Sequence, residues 1–249
     1  MKLSIVMPVY NEIKTIAIII DQVMKVDIGP LEKEVIIIDD GSNDGTREYL
    51  KTIQNPQIQV IYHEKNIGKS GGINTARKHI TGDIVIIQDA DLEYHPDDYP
   101  KLLKPILNGE ADVVYGSRFI GSEPHRVLYF WHSIGNKFLT VLSNMLTNLN
   151  LTDMETCYKM ISGPIFKSLE ITANGFGIEP EITAKLSRLH CRIYEVGISY
   201  RGRKYADGKK ITWKDGVSAI YYILKYVFWK PNKDLIQKLA DEGYVIEKS

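Results

Sequence analysis

The sequence predicts an α/β fold with a mostly parallel central sheet, helices on both faces, and a C-terminal helical, amphipathic elaboration. Short apolar runs rich in Val and Ile recur at 3–9, 35–38, 60–62, 84–87 and 113–115. Near-continuous apolarity in so few residues suits strands covered on both faces, as in a parallel sheet. Helical patterns lie between these runs, giving strand–helix alternation. After Gly116 that rhythm stops and long aromatic segments take over.

In chain order, Ile13, Ile16, Ala17, Ile20, Val23 and Met24 recur at helical spacing, with Asn11 as the expected N-cap. Further helices are expected at 44–53, 69–80 and 97–107. Right-handed crossovers then place the ligand crevice at the carboxyl ends of the strands. Residues 127–149 are apolar, aromatic and nearly uncharged. A polar stretch follows at 152–159, then a helix near 179–190 that 175–181 would start and that carries Ile182, Leu186 and Leu189, with Glu179 as a wall acid or a cap. A short strand at 193–198, a basic loop at 201–214, an apolar segment at 217–229 and a polar, peripheral tail complete the chain. No internal repeat or low-complexity linker divides it.

Composition narrows the function. Lys and Arg number 31, as do Asp and Glu, so no global field favours nucleic acid. Two cysteines, Cys157 and Cys191, cannot supply a four-ligand metal site and form no CxxC pair. A disulfide stays open, although a reduced, cytoplasmic protein is the expectation. Residues 1–12 hold a short apolar run with Pro8 and end in an acid, unlike a secretory signal. No window offers the roughly 18 apolar residues of a membrane span, so work at a membrane would be done on its surface.

Three clusters carry chemistry. Asp89-Ala90-Asp91 directly follows an apolar run, and residues two apart in extended chain project the same way. Two carboxylates at a strand end suit Mg²⁺ or another hard divalent cation, which takes one or two carboxylates plus substrate phosphate oxygens. Glu93 adds a third candidate ligand; a solvated acidic turn is the alternative. The second cluster is 39–46, DDGSNDGT, again after a strand. Helix capping accounts for Asp44 or Ser42 but not for consecutive Asp39 and Asp40, which could accept from a base N–H or ribose hydroxyls. The third, 66–72 (NIGKSGG), opens a helix. It is no P-loop, since His63 stands where the first glycine belongs, and GxGxxG is absent too. A glycine-rich helix start with one cation, Lys69, remains, able to approach a diphosphate.

Pro8-Val9-Tyr10-Asn11-Glu12, DDGSNDGT, NIGKSGG and DADLE, in that order and spacing, resemble the inverting family 2 glycosyltransferases of the GT-A, Rossmann-like fold. GSRF at 116–119 narrows the resemblance to the dolichyl- and polyprenyl-phosphate sugar transferases; it extends over about residues 3–215. It implies one glycosyltransferase domain at 1–230, with a nucleotide-sugar half at 1–116, an acceptor half at 117–230 and a polar tail at 231–249. Pro8, Tyr10, Glu12 and Asp40 would border the nucleoside of a UDP- or GDP-hexose, with Lys69 nearby. Asp89 and Asp91 would hold Mg²⁺ or Mn²⁺ and the diphosphate, and Glu93 stands where the mannosyl-phosphate branch commonly has Gln. Arg118, Arg126 and Arg201 would serve phosphate groups; a surface ion pair is the alternative for each.

Residues 153–160 (DMETCYKM) depart from that branch. Asp153 or Glu155 is a candidate base for a sugar hydroxyl, or a wall residue. A phosphate acceptor, with a second pKa of about 6, needs no strong base but does need guanidinium groups to position it. Six Lys/Arg against one acid in 201–214, with Tyr205 and Trp213 interleaved and apolar segments on either side, suggest contact with anionic lipid headgroups; a solvated basic loop beside ordinary core helices is the alternative. A peripheral position at the cytoplasmic face of a membrane follows, with a membrane-embedded partner possible. The rival readings are a transferase acting on a saccharide hydroxyl, a nucleotidyltransferase (whose GxGxR loop is absent), and a non-catalytic sugar-nucleotide-binding subunit.

Overall fold

Seven strands among the described residues join in one sheet. They are β1 (Lys2–Val9), β2 (Glu32–Asp39), β3 (Ile58–Tyr62), β4 (Ile84–Ile87), β5 (Val113–Ser117), β6 (Lys159–Ser162) and β7 (Ile193–Gly197), in the order β3-β2-β1-β4-β6-β5-β7. The structure is a computed structural model and describes residues 1–121, 127, 129–202 and 213–244. Every pairing is parallel except those of β6, which runs antiparallel to both β4 and β5. The helices are α1 (Ile16–Lys25), α2 (Thr46–Lys51), α3 (Gly68–Arg77), α4 (Tyr99–Leu107), α5 (Phe130–Thr147), α6 (Gly163–Ser168), α7 (Ile178–Arg188), α8 (Trp213–Tyr226) and α9 (Lys233–Asp241). The expected mostly parallel α/β architecture is therefore present.

Side-chain alternation along the strands builds two cores. Ile5, Met7, Val35, Ile37 and Ile86 pack on α1 and α4, while Val6, Ile36, Ile38, Val85 and Ile87 face α3 and α7. Burying each such side chain stabilises by about 1.5–3 kcal/mol. Both faces must be apolar for both gains, which is why these runs lack the polar alternation of a half-exposed sheet.

Several elements differ from the sequence reading. Asn11 is not a helix cap. It takes a left-handed backbone (φ 55°), its N–H donates to Ser42 Oγ and its Oδ1 accepts from Asn43 N–H. Its side chain thus ties the end of β1 to the loop after β2, and α1 begins only at Ile16. Helix α2 is six residues long, shorter than 44–53: Gly45 takes φ 100° and Asp44 accepts from the Thr46 N–H and hydroxyl, so the helix begins at Thr46. Strand β6 was missed: it is four residues long and begins with a lysine. Residues 233–241, read as part of a polar tail, form α9 with Leu239 buried against the second core.

Topology positions the site. The chain builds β1, β2 and β3 in one direction, then returns to lay β4 on the other side of β1. The strand order reverses between β1 and β4, and such a switch point opens a crevice at their carboxyl ends. The reversed strand β6 matters equally. Because it runs the other way, the segment before it, 153–158, is delivered to the same edge where its parallel neighbours end.

Candidate active site

Backbone constraints at the carboxyl edge come first. Gly41 has φ +78°, and a Cβ there would sit 2.8 Å from the Asn66 backbone nitrogen. Only glycine lets the loop after β2 lie against the loop after β3. Asp40 joins the two: its carboxylate accepts from the N–H groups of Ile67 (3.0 Å) and Gly68 (2.8 Å) and lies 2.7 Å from His63 Nδ1. Asp39, fully buried, accepts from Arg47 Nε at 2.5 Å. A Cβ on Gly72 would meet Pro8 Cβ at 3.3 Å, so α3 seats closely on β1 beside Pro8. Glu12 accepts from Thr15 Oγ1, and its N–H donates to Thr46. Tyr10, by contrast, stands 47% exposed at the mouth of the crevice.

A buried polar platform carries the acidic motif. Gln88 follows β4 and is inaccessible; its Oε1 accepts from the hydroxyls of Tyr99 (2.7 Å) and Tyr158 (2.6 Å), while its amide donates to the Asp89 carbonyl (2.9 Å). Burial pushes the Tyr99 and Tyr158 hydroxyls well above the ordinary phenol range, so both remain donors. Such a satisfied network rigidifies what it supports. Above it, Asp91 Oδ1 accepts from the Glu93 N–H at 3.1 Å, with Leu92 between them at φ 64°. The Glu93 carboxylate accepts from the Tyr200 hydroxyl at 2.8 Å.

Asp89 has a cationic neighbour. Lys69 Nζ lies 2.7 Å from its Oδ1, 3.4 Å from Cys157 Sγ and 3.9 Å from Glu179 Oε1. Burial opposes charge on Lys69, yet Asp89, then Cys157 and Glu179, hold its pKa well above the usual lysine value. Asp89 is likewise disfavoured by burial, but the ammonium brings its carboxyl below the usual range.

Across the crevice the charges are more deeply sunk. Arg118, directly after β5, forks onto Asp153 with Nε and Nη2 each at 2.6 Å, and Asn136 of α5 reaches both partners at 3.3 Å. Asp153 is fully buried. The guanidinium also lies 5.2 Å from the centre of the Tyr200 ring. Lys159, the buried first residue of β6, pairs with Glu179 in the first turn of α7. Between these pairs sits Glu155, whose buried Oε1 has no hydrogen-bond partner among the described residues. Burial, and after it the nearby Glu179, push its carboxyl up to about 8.

The structure therefore brings Lys69, Asp89, Asp91 and Glu93 to one wall, and Arg118, Asp153 and Glu155 to the other. Arg201 is exposed and joined to the acidic motif through its backbone N–H, 2.9 Å from the Glu93 carbonyl. Arg126 lies outside the described residues, as do 203–212 of the basic loop. Sequence reading missed Gln88, Cys157, Lys159 and Tyr200 and left Glu179 open as a wall acid or a cap. Lys159 carried a usable signal, since a lysine opening an apolar strand needs a buried counter-charge. The donor set fits a hard divalent ion: two carboxylates, with hard phosphate oxygens to complete the shell. Among the described residues, no three His, Cys, Asp or Glu side chains gather into a closed metal cage. A separate concavity of about 740 Å³ lies at the amino ends of β5 and β7, but there Arg192 is paired with Asp112 and Arg188 with the Val227 carbonyl.

Comparison with known proteins decides the family. The family model described as "Glycosyl transferase family 2" matches residues 4–169. The chain belongs to glycosyl transferase family 2. It is a glycosyltransferase of GT-A architecture, as the four N-terminal motifs implied. The chain is similar to a dolichol-phosphate mannosyltransferase of Pyrococcus furiosus, 27% identical over 98% of this chain and 68% of that protein. It is similar to an undecaprenyl-phosphate mannosyltransferase of Micrococcus luteus, 26% identical over 84% and 87%. A UDP-N-acetylglucosamine–dolichyl-phosphate N-acetylglucosaminyltransferase of Methanococcus voltae is also 26% identical, over 88% and 94%. The resemblance to the polyprenyl-phosphate branch is thus shared with named relatives. Among solved structures, glucosyl-3-phosphoglycerate synthase of Mycobacterium tuberculosis, crystallised with Mn²⁺, UDP and phosphoglyceric acid, superposes with a TM-score of 0.67. The two are 23% identical over 93% of this chain and 80% of that one, a likeness of fold.

Proposed function

We propose that this family 2 transferase moves a hexose from a UDP- or GDP-sugar to a polyprenyl phosphate, with inversion, at the cytoplasmic face of a membrane. The observation that carries the acceptor is helix α5. One of its residues, Asn136, bonds the Arg118–Asp153 pair inside the crevice, while Phe130 (67% exposed), Trp131 (79%) and Met145 (76%) project from the same helix into solvent. Helix α8 packs beside it and adds Val217, Tyr221 and Leu224 to the exposed apolar surface. A face this apolar, on a molecule where no described helix is long and apolar enough to cross a membrane, suits a lipid surface. A lipid phosphate could then reach the crevice from the bilayer that α5 rests on.

On the donor wall, Tyr10 offers a face for the base and Pro8, Glu12 and Asp40 shape the nucleoside site. Asp89 and Asp91 would hold Mg²⁺ or Mn²⁺, which neutralises charge building on the departing diphosphate. The platform under Gln88 keeps those carboxylates placed, so the protein contributes in-line positioning and preorganised electrostatics. An acceptor phosphate, dianionic at neutral pH, needs no base; Arg118 and Arg201, with Arg126, are the guanidinium groups that would receive it. In this reading Asp153 orients Arg118.

Glu155 favours a second reading, transfer to a saccharide hydroxyl. A carboxyl with a pKa near 8, whose Oε1 has no hydrogen-bond partner among the described residues, is matched to proton abstraction near neutral pH, whereas Asp153 is bound to its arginine. Labelled UDP- and GDP-hexoses offered to a detergent-dispersed polyprenyl phosphate and to soluble saccharides separate the two. Lipid-soluble label, abolished in Asp91→Ala and little changed in Glu155→Gln, is the expected result. Label only in saccharide, lost in Glu155→Gln, would replace the proposal with its rival.

A further inference from the structure

Lys69 occupies an unusual place. It stands in the first turn of α3, where the helix dipole and free N–H groups favour an anion over a cation. Its ammonium lies 2.7 Å from one oxygen of Asp89 and has Cys157 and Glu179 within 4 Å. Two other buried carboxylates of the crevice have different cations: Asp153 has Arg118, and Glu179 has Lys159. Lys69 also differs in kind, being a single charge on a flexible, partly exposed stem rather than a planar fork locked in place.

We propose that Lys69 is an internal counter-cation of Asp89 that must turn away before a divalent ion can be held there, and that the donor diphosphate is what draws it away. The inference rests on Asp89 and Asp91 being the metal-holding pair. A doubly charged ion bound to the same carboxylate repels the ammonium strongly at such short range in a half-buried site. A diphosphate at the start of α3 gives the lysine a new anionic partner within reach of its own stem. Metal and nucleotide are then taken up together, and the metal alone is held weakly.

Binding of Mn²⁺, followed by the loss of its free-ion paramagnetic resonance signal, tests this without turnover. The wild-type protein is expected to bind Mn²⁺ weakly alone, and at least roughly tenfold more tightly with UDP or GDP present. Lys69→Met is expected to bind Mn²⁺ alone about tenfold more tightly than wild type does, with little further gain from nucleotide. Its melting temperature should fall below that of wild type in EDTA and recover with Mn²⁺, because Asp89 has lost its counter-charge. Asp91→Asn added to Lys69→Met should abolish the tight binding. Lys69→Gln, expected to behave as Lys69→Met, serves if the methionine variant does not fold. Unchanged or weaker Mn²⁺ binding in the lysine variants, with wild type binding Mn²⁺ in the presence of nucleotide, overturns the inference alone. Absence of Mn²⁺ binding in every protein, nucleotide present or not, overturns the metal reading and this inference together.

Discussion

The two walls of the crevice handle charge differently. On the proposed donor wall, acidic groups rest largely on the backbone and on neutral side chains: Asp40 on Ile67 and Gly68, Asp44 on Thr46 and Ile13, Asp91 on Glu93. Asp39, held by Arg47, and Asp89, paired with Lys69, are the exceptions. On the proposed acceptor wall, buried carboxylates are held by cations: Asp153 by Arg118 and Glu179 by Lys159. Backbone-held carboxylates fix loop shape and leave the cleft its negative character. Ion-paired ones spend that charge on their partners, so the acceptor wall is sensitive to any change that leaves one member alone. Among the described carboxylates of the crevice, Glu155 alone has neither arrangement.

The largest expected effect follows from breaking a pair. Asp153→Ala strands Arg118 among Tyr94, Phe119 and Tyr200, and should cost about 3–5 kcal/mol in urea unfolding, the range for one removed partner of a buried pair. A loss below 1 kcal/mol would mean the pair is well hydrated in solution. On the donor wall, Asp40→Ala removes acceptors from two loop N–H groups, and about 1–3 kcal/mol is expected. If it proves the costlier of the two, the contrast between walls is wrong.

Glu155 sharpens the comparison through pH. Its carboxyl sits at about 8 in the folded protein against an ordinary 4.5, so folding favours its neutral form. The stability this contributes is fully present below pH 4.5 and is lost as pH rises through 8. Glu155→Gln stays neutral throughout. Variant and wild type should have equal relative stability up to pH 4.5, and the variant should then gain, on the order of 1 kcal/mol per pH unit until about pH 8. Parallel stability curves would show Glu155 to be ionised and solvated. The smallest effect on folding belongs to the outer face of α5. Trp131→Ser with Phe138→Ser should change stability by less than about 1 kcal/mol, since both side chains are exposed, yet reduce co-sedimentation with anionic lipid vesicles severalfold. Undiminished sedimentation would remove the membrane from the account.

The proposed donor half was largely legible in the sequence because its signals are local. Apolar runs mark strands that must be covered on both faces, and each motif directly follows one of them, so placing the strand places the motif. Asn11 shows where local rules stop: its capping chemistry is the same whether it serves a helix or, as here, the neighbouring loop. The acceptor wall depends on contacts far apart in the chain. Arg118 meets Asp153, Gln88 meets Tyr158, and Lys159 meets Glu179 only because a four-residue antiparallel strand turns 153–158 toward the donor wall. No periodicity in KMIS announces that reversal. The exposed face of α5 was equally hidden, since an aromatic, apolar segment reads alike whether a core or a membrane will cover it.

The central claim, that Asp89 and Asp91 hold a divalent ion together with the donor diphosphate, is tested most directly by calorimetry of UDP and GDP binding to wild type and Asp91→Ala, each with Mn²⁺ and with EDTA. Binding of at least one nucleotide to wild type only with Mn²⁺, and its loss in a folded Asp91→Ala protein, is the predicted result. Equal nucleotide affinity in EDTA, or in the variant, would contradict it.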